Sequence, residues 1–106
     1  MAEEGELVKK STTTVGDERI IVTALGRDRV GIVAGISAVL AEHNANIIEL
    51  TSAEMGGSFV MVMLIDISKA NLKMADLQNV LKQKGEELGV QVTAQHEDVF
   101  RYMHRI

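Results

Sequence analysis

The first segment whose residues could bind a ligand is 26–31, with the sequence GRDRVG, which lies between a β-branched run and a helical pattern. The start of a helix presents free backbone N–H groups and the positive end of the helix dipole, and both favour a carboxylate or phosphate. Gly31 has no Cβ, so a ligand could approach the backbone closely. Asp28 could receive an ammonium group, or it could simply cap the helix. The residues alone leave both interpretations open.

A second polar turn, residues 44–47 with the sequence NANI, joins the end of the same helical pattern to the next strand. Side-chain amides both donate and accept hydrogen bonds, so Asn44 and Asn46 could hold a zwitterion. Asparagines in turns also satisfy their own backbone, and that alternative stays open as well.

The sequence lacks the residues that nucleophilic catalysis or metal binding would need. The chain contains no cysteine, which excludes thiolate nucleophiles, disulfides and cysteine metal sites. Its histidines, His43, His96 and His104, do not have metal-ligand spacing. No serine lies in a G-x-S-x-G nucleophile elbow. We therefore expect no catalytic residue, no metal site and no cofactor.

Composition limits the class of protein. With 106 residues, of which 46% are hydrophobic, the chain is the size of one globular domain. A net charge of -4 and an aromatic content of 3% disfavour a nucleic-acid partner. No apolar run reaches the roughly 18 residues of a membrane helix, and acidic residues precede residue 10 where a signal peptide would be basic. We expect a cytoplasmic protein without a membrane partner.

Hydrophobic periodicity supplies the elements that would position the two turns. It predicts strands at 19–25, 47–55, 59–67 and 90–95, and helices that begin at Ile32 and at Leu72. The pair Gly56-Gly57 is a strong hairpin signal. The order βαββαβ predicts an α+β, ferredoxin-like fold, with a four-stranded antiparallel sheet and two helices on one face.

The other face of such a sheet has no helix to cover it, and exposed apolar surface favours self-association. We place four large side chains on the two middle strands and expect some of them on this face: Met55, Phe59, Met61 and Met63. The predicted organisation is a lead-in at 1–18, the domain at 19–97 and a helical tail at 98–106. In the tail, Val99, Phe100 and Met103 form a short apolar stripe that needs a surface to pack on.

With these features in place, residues 19–97 resemble the ACT domain family. Residues 28–33, with the sequence DRVGIV, resemble the D-R-P-G-I-V turn that joins the first strand and helix of the family. Asn46-Ile47 resembles the N-I pair that opens the second strand. The tail is similar to that of small stand-alone ACT proteins, and the domain is similar to the ACT units of glycine-cleavage regulators and formyltetrahydrofolate deformylases.

The resemblance implies a non-catalytic regulatory domain that binds an amino acid, or a similar small ligand, at a homodimer interface. Asp28, Gly31 and Ile32 would contact the ligand from one subunit, and Asn46 and Ile47 from its partner. The expected partners are the small ligand, a second copy or a higher homo-oligomer, and a protein regulated in trans. Two alternatives stay open: a ligand-free dimerisation or protein-interaction module, and an acylphosphatase-like enzyme.

Overall fold

The computed structural model describes residues 18–27 and 30–99, which form a four-stranded antiparallel sheet and two helices. In chain order the elements are β1 (Arg19–Arg27), α1 (Ile32–Glu42), β2 (Asn46–Met55), β3 (Ser58–Asp66), α2 (Met74–Leu88) and β4 (Val90–His96). The strand order is β2-β3-β1-β4, so β2 and β4 are the edge strands. The ferredoxin-like α+β prediction is confirmed.

The core lies between the sheet and the helices, because alternate side chains of three strands point towards α1 and α2. Each large aliphatic side chain buried there contributes roughly 1.5–3 kcal/mol relative to an exposed one. The largest fully buried side chains are Ile20, Val22, Ile32, Ile36, Leu40, Met61, Met63, Ile65, Leu77 and Leu81. On β4 the predicted alternation is also observed, with Val90, Val92 and Ala94 buried.

Of the four large side chains of which some were expected on the uncovered face, the three on β3 face the helices instead. Met61 pairs with Ala24 and Met63 with Val22, and residues directly opposite each other in an antiparallel sheet share a face. Both methionines are therefore in the core, as is Phe59. Met55 is exposed, but β2 is an edge strand and not a middle one.

The predicted turns have the backbone conformations that their residues allow. Gly56 and Gly57 have φ angles of 59° and 86°, as a tight turn between β2 and β3 requires. Asn44, with φ of 59°, takes the left-handed conformation after α1. Gly89 does the same after α2, with φ of 78°. The Gly56-Gly57 turn therefore lies where the sequence predicts a hairpin, and Asn44 and Gly89 end the two helices.

Gly85 has a packing role inside α2. A Cβ on this residue would lie 2.6 Å from Val92 Cγ2 and 2.8 Å from the carbonyl oxygen of Val90. The absence of a side chain therefore lets α2 approach β4 closely. α2 begins at Met74, two residues after the predicted start, and Leu72 packs against the core from outside the helix.

The ends of the chain are described only in part. Residues 97–99 are helical, whereas residues 1–17 and 100–106 lie outside the described residues, so the predicted lead-in and most of the tail stay predictions. Among the residues described, no helix combines the length and the apolar character needed to cross a bilayer.

Candidate functional site

The N-terminal end of α1 is open to solvent. Gly31 is its N-cap, with φ of 96° and ψ of -2°, and no side chain within the described residues caps the helix. The first N–H groups of a helix have no partner inside it, and those that no described side chain caps are suited to an anion. Asp28, the predicted cap or ammonium acceptor, lies outside the described residues together with residue 29.

Ile32 contributes to this end through its backbone. Its side chain is buried in the core, where it anchors the first turn of α1. The part of Ile32 that a ligand could contact is the N–H at the start of the helix, beside that of Val33. This end of α1 therefore offers backbone donors and the helix dipole as its recognition chemistry.

The C-terminal end of α1 carries the second predicted turn and adjoins a shallow cavity of about 230 Å³. The cavity is lined by Asn44, Asn46, Asp66, Ser68 and Lys69. Asn44 Nδ2 donates a hydrogen bond to the carbonyl oxygen of Lys69 at 2.8 Å, so its amide joins the α1–β2 turn to the segment after β3. Asn46 is exposed at the start of β2. The cavity thus combines an amide, a hydroxyl and charges of both signs.

Ile47 lies next to this cavity but faces the other way. It pairs with Ile65 and packs, half-buried, against the core. Its side chain holds the start of β2 on the sheet and so fixes the position of Asn46.

Asp66, Ser68 and Lys69 are cavity residues that the sequence analysis did not single out. Asp66 pairs with Asn46 across the β2–β3 ladder, and its Oδ1 accepts a hydrogen bond from the Ser68 N–H at 2.9 Å. The Gly56-Gly57 hairpin signal predicts the residue opposite Asn46 to within one position. Counting outward from Gly56-Gly57 places Asn46 opposite Ile67, and a register shift between Ile47 and Glu49 moves it to Asp66.

That shift decides which way Asn46 faces. Ile48 is the extra residue of a β-bulge, and a one-residue slip exchanges the two faces of a strand. Opposite Ile67, which is buried, Asn46 would face the core. Opposite Asp66 it faces solvent, and Ile47 takes the core position.

One copy of the chain does not bring the two predicted half-sites together. Gly31 and Ile32 lie at the start of α1, whereas Asn46 and Ile47 lie after its end, and the 11-residue helix separates the two pairs by about 16 Å. A ligand the size of an amino acid cannot span that distance. The half-sites can meet only between two copies.

Histidine and carboxylate side chains do not gather elsewhere on the described part of the chain. No three residues of the His, Cys, Asp and Glu types cluster within residues 18–27 and 30–99 as metal ligands would. His43 Nδ1 lies 3.2 Å from Asn71 Oδ1, and His96 Nε2 lies 3.9 Å from Glu18 Oε2. Among the described residues, both ends of α1 offer polar groups suited to a small charged ligand.

Comparison with known proteins gives a consistent result. The family model for the ACT domain matches residues 18–95. A UPF0237 protein of Methanocaldococcus jannaschii is 57% identical over 88 residues, which cover 83% of this chain and 98% of that protein.

Two solved structures have the same fold. An ACT domain protein from Streptococcus pneumoniae superimposes with a TM-score of 0.71 at 28% identity, covering 79% of this chain and 94% of the other. A formyltetrahydrofolate deformylase from Pseudomonas syringae pv. tomato superimposes with a TM-score of 0.70 at 24% identity, covering 76% of this chain and 28% of the other, and it shows the fold alone. On the family match and the UPF0237 relative, this chain belongs to the ACT domain family.

Proposed function

We propose that this chain is a non-catalytic regulatory domain that binds an amino acid, or a similar small zwitterion, between two copies of itself. The observation that carries the proposal is the polarity of α1. Its N-terminal end presents N–H groups that no described side chain caps, and these suit a carboxylate. Its C-terminal end adjoins the Asp66 carboxylate and the Asn46 amide, which suit an ammonium group.

The arrangement of the two copies follows from symmetry. A two-fold axis perpendicular to α1 brings the Gly31 end of one copy to the Asn46 end of its partner. Because the two-fold axis repeats the contact, the dimer contains two equivalent sites. In each site one half binds the carboxylate of the ligand and the other half binds its ammonium group. Each site then contains the predicted residues at the start of α1 from one copy and the predicted residues at the start of β2 from its partner.

Exposed apolar side chains support an interface on this side of the molecule. Ile48 and Leu50 on β2 are 45% and 38% exposed, and Val33 on α1 is 40% exposed. A Cβ at Gly35 would contact Leu88 of α2, and Val33 is about 160° away from Gly35 around the helix, so it faces away from α2. Apolar surface at the free edge of a sheet favours association with another copy.

Ligand binding across such an interface couples the ligand concentration to dimer stability. A ligand at 100 times its Kd stabilises the bound state by about 2.7 kcal/mol per site. The dimer could pass this signal to a protein regulated in trans. A cytoplasmic location, expected from the absence of cysteine, is part of the same proposal.

A thermal-shift screen against the twenty amino acids tests the proposal. We expect at least one amino acid to raise the Tm, and Asn46→Ala to abolish the rise. Gln95→Ala, an exposed position on the opposite edge strand, serves as the matched control and should keep the rise. A panel in which no amino acid changes the Tm would contradict a ligand-binding role.

A ligand-free dimerisation module is the second candidate, and the exposed apolar side chains of β2 favour it independently of the cavity. It predicts a dimer in sedimentation-velocity experiments whose Tm no amino acid changes. The same screen, repeated on a sample of measured oligomeric state, therefore separates the two functions.

A further inference from the structure

The sheet face opposite the helices, here called the open face, has an apolar centre. Buried and more accessible residues alternate along β1 and β3, so every second side chain points away from the helices. The hydroxyl oxygens of Thr23 and Thr93 lie 2.8 Å apart on this face. The apolar side chains that its two central strands contribute are Ile21, Leu25, Val60, Val62 and Leu64. An uncovered apolar surface of this kind favours contact with another molecule.

The two ends of the open face differ in charge. Three carboxylates, those of Asp66, Glu49 and Glu97, lie at the end where β1 begins, here called the acidic end. Arg19 Nε donates a hydrogen bond to Glu97 Oε1 at 3.2 Å, so one guanidinium accompanies the three carboxylates. At the other end of the described face, where β1 ends, the charged residue is Arg27. The open face is therefore negative at one end and positive at the other.

The size of the open face suits a second copy of the chain. Its strands have nine, ten, nine and seven residues. At about 3.4 Å per residue and about 4.8 Å between strands, the flat outline is roughly 30 Å by 19 Å, about 570 Å². The side chains that project from this outline add to the area, and stable interfaces bury from about 600 Å² on each partner. Two open faces in contact therefore reach the area of a stable interface, with an apolar centre and a polar rim along β4.

The charges decide how a second copy would be oriented. Sheets that pack face to face keep their strands roughly aligned, so a two-fold axis in the plane of contact runs either along the strands or across them. An axis along the strands places acidic end on acidic end, where like charges repel. An axis across the strands reverses the partner, so that the Arg27 end of each copy lies on the acidic end of the other. Opposite charges then meet at both ends of the contact, which fixes its orientation.

We propose that a second copy packs on the open face about an axis across the strands, with the strands of the two sheets antiparallel. This contact is separate from the ligand-binding contact proposed above. Leu50 pairs with Met63, which is in the core, so Leu50 lies on the opposite side of β2 from the open face. The open-face contact needs no ligand and can hold or fail independently of the proposed function. Two kinds of two-fold contact on one chain close as a tetramer.

Sedimentation velocity distinguishes the two contacts. Val62 lies at the centre of the open face, and Val62→Lys is expected to halve the mass of the assembly, from four copies to two. Gln83→Lys, at an exposed position of α2, is the matched control and should keep the natural mass. A folded Val62→Lys variant with the natural mass would overturn the proposal.

A double variant shows which of the two proposals fails. Leu50→Lys should also halve the mass, and Val62→Lys with Leu50→Lys should give monomers. If the ligand-binding contact is the one that does not form, the natural chain is a dimer, Val62→Lys alone gives monomers, and the open-face contact is supported. A natural dimer that Leu50→Lys alone separates would overturn the open-face contact instead.

Crosslinking tests the orientation and does not require a charge on the face. The natural chain has no cysteine, so a single substitution introduces the only thiol of each copy. Thr23, in the middle of β1, is close to the proposed axis, so two Thr23→Cys side chains face each other between sheets about 10 Å apart. Ser58 pairs with Arg27 at the end of the face, which separates two Ser58→Cys side chains by about 25 Å.

A bis-maleimide with a span of about 10 Å should therefore join Thr23→Cys copies at least about tenfold faster than Ser58→Cys copies. Equal rates for the two variants would indicate strands that run parallel across the contact and would overturn the proposal. Thr23→Cys copies that do not crosslink would overturn it as well.

Reversing the charge of Arg27 tests the role of the two ends. Arg27→Glu should raise the Kd of the open-face contact about tenfold at low salt and much less in 1 M salt, which screens charges. Lys82→Glu makes the same change of charge at an exposed position of α2 and is the matched control. Equal weakening in both variants would show repulsion by net charge and would contradict the proposed orientation.

Discussion

The two edge strands of the sheet differ in how they use their surfaces. On β4, buried and exposed residues alternate along the strand, and α2 packs on it so closely that Gly85 has no room for a Cβ. On β2, nine of ten residues are exposed and Ile47 alone is half-buried. An edge strand that is well covered by its own chain stabilises the monomer, whereas one left uncovered is available to a partner. The comparison predicts that changes on β4 act on folding and changes on β2 act on association.

The largest expected effect is on the β4 side, at Gly85. Gly85→Ala should lower the free energy of unfolding by about 3 kcal/mol, because the added Cβ meets the Val90 carbonyl oxygen and Val92 Cγ2. Urea denaturation measures it. Gly35→Ala is the matched control, since its Cβ meets the flexible side chain of Leu88, and it should cost far less. Equal losses for the two variants would contradict the close approach of α2 to β4.

The next effect is on association through β2. Leu50→Lys should weaken the proposed dimer by about 2 kcal/mol, because it places a charge on the exposed apolar surface of β2 that also includes Ile48. The monomer should unfold at the same urea concentration as before. Sedimentation equilibrium measures the dimer, and Gln95→Lys on β4 is the control. A dimer that Gln95→Lys weakens and Leu50→Lys does not would reverse the roles of the two edges.

A smaller effect is expected at the cavity beside Asn46, where we propose that the ligand binds. Asp66→Asn keeps the shape of the side chain but removes its charge, so the affinity for an amino acid that raises the Tm should fall by about 1.5 kcal/mol. Isothermal titration calorimetry measures this. Asn71→Ala, near the cavity but outside its lining, should bind normally. Unchanged affinity in Asp66→Asn would remove Asp66 from the ammonium half-site.

The smallest effect is expected for the ion pair that ties β1 to Glu97. Arg19→Gln should cost less than about 1 kcal/mol of unfolding free energy, because both side chains are partly exposed to solvent. The difference from the natural chain should shrink further in 1 M salt, which screens surface charges. A larger loss, unaffected by salt, would show that Arg19 stabilises the sheet by packing and not by charge.

Most of the fold could be predicted from the sequence, because its signals are local. The alternation on β4, the Gly56-Gly57 turn and the left-handed Asn44 and Gly89 each determine a conformation without reference to distant residues. Together they define the order and direction of the elements, and hence the ferredoxin-like sheet.

The faces of β2 and β3 were harder to predict, because they depend on pairing between strands. β3 is apolar at nearly every position, so its own sequence does not show which side meets the helices. It was therefore left open which of the four large side chains would lie on the uncovered face, and the three on β3 lie in the core. Asp66 was missed for a related reason. It joins the site only through its pairing with Asn46, which a bulge at Ile48 sets.

The bulge at Ile48 means that β2 carries one residue more than its pairing needs. Deleting Ile48 would leave Asn46 opposite Asp66 and Ile47 opposite Ile65, with a regular ladder. If one further residue were inserted into β2 and no second bulge formed, the pairing of the strand would shift by one residue. Asn46 would then face the core. Among related chains we therefore expect deletions at position 48 of this strand but no insertions. Only a deletion keeps Asn46 on the side of the cavity.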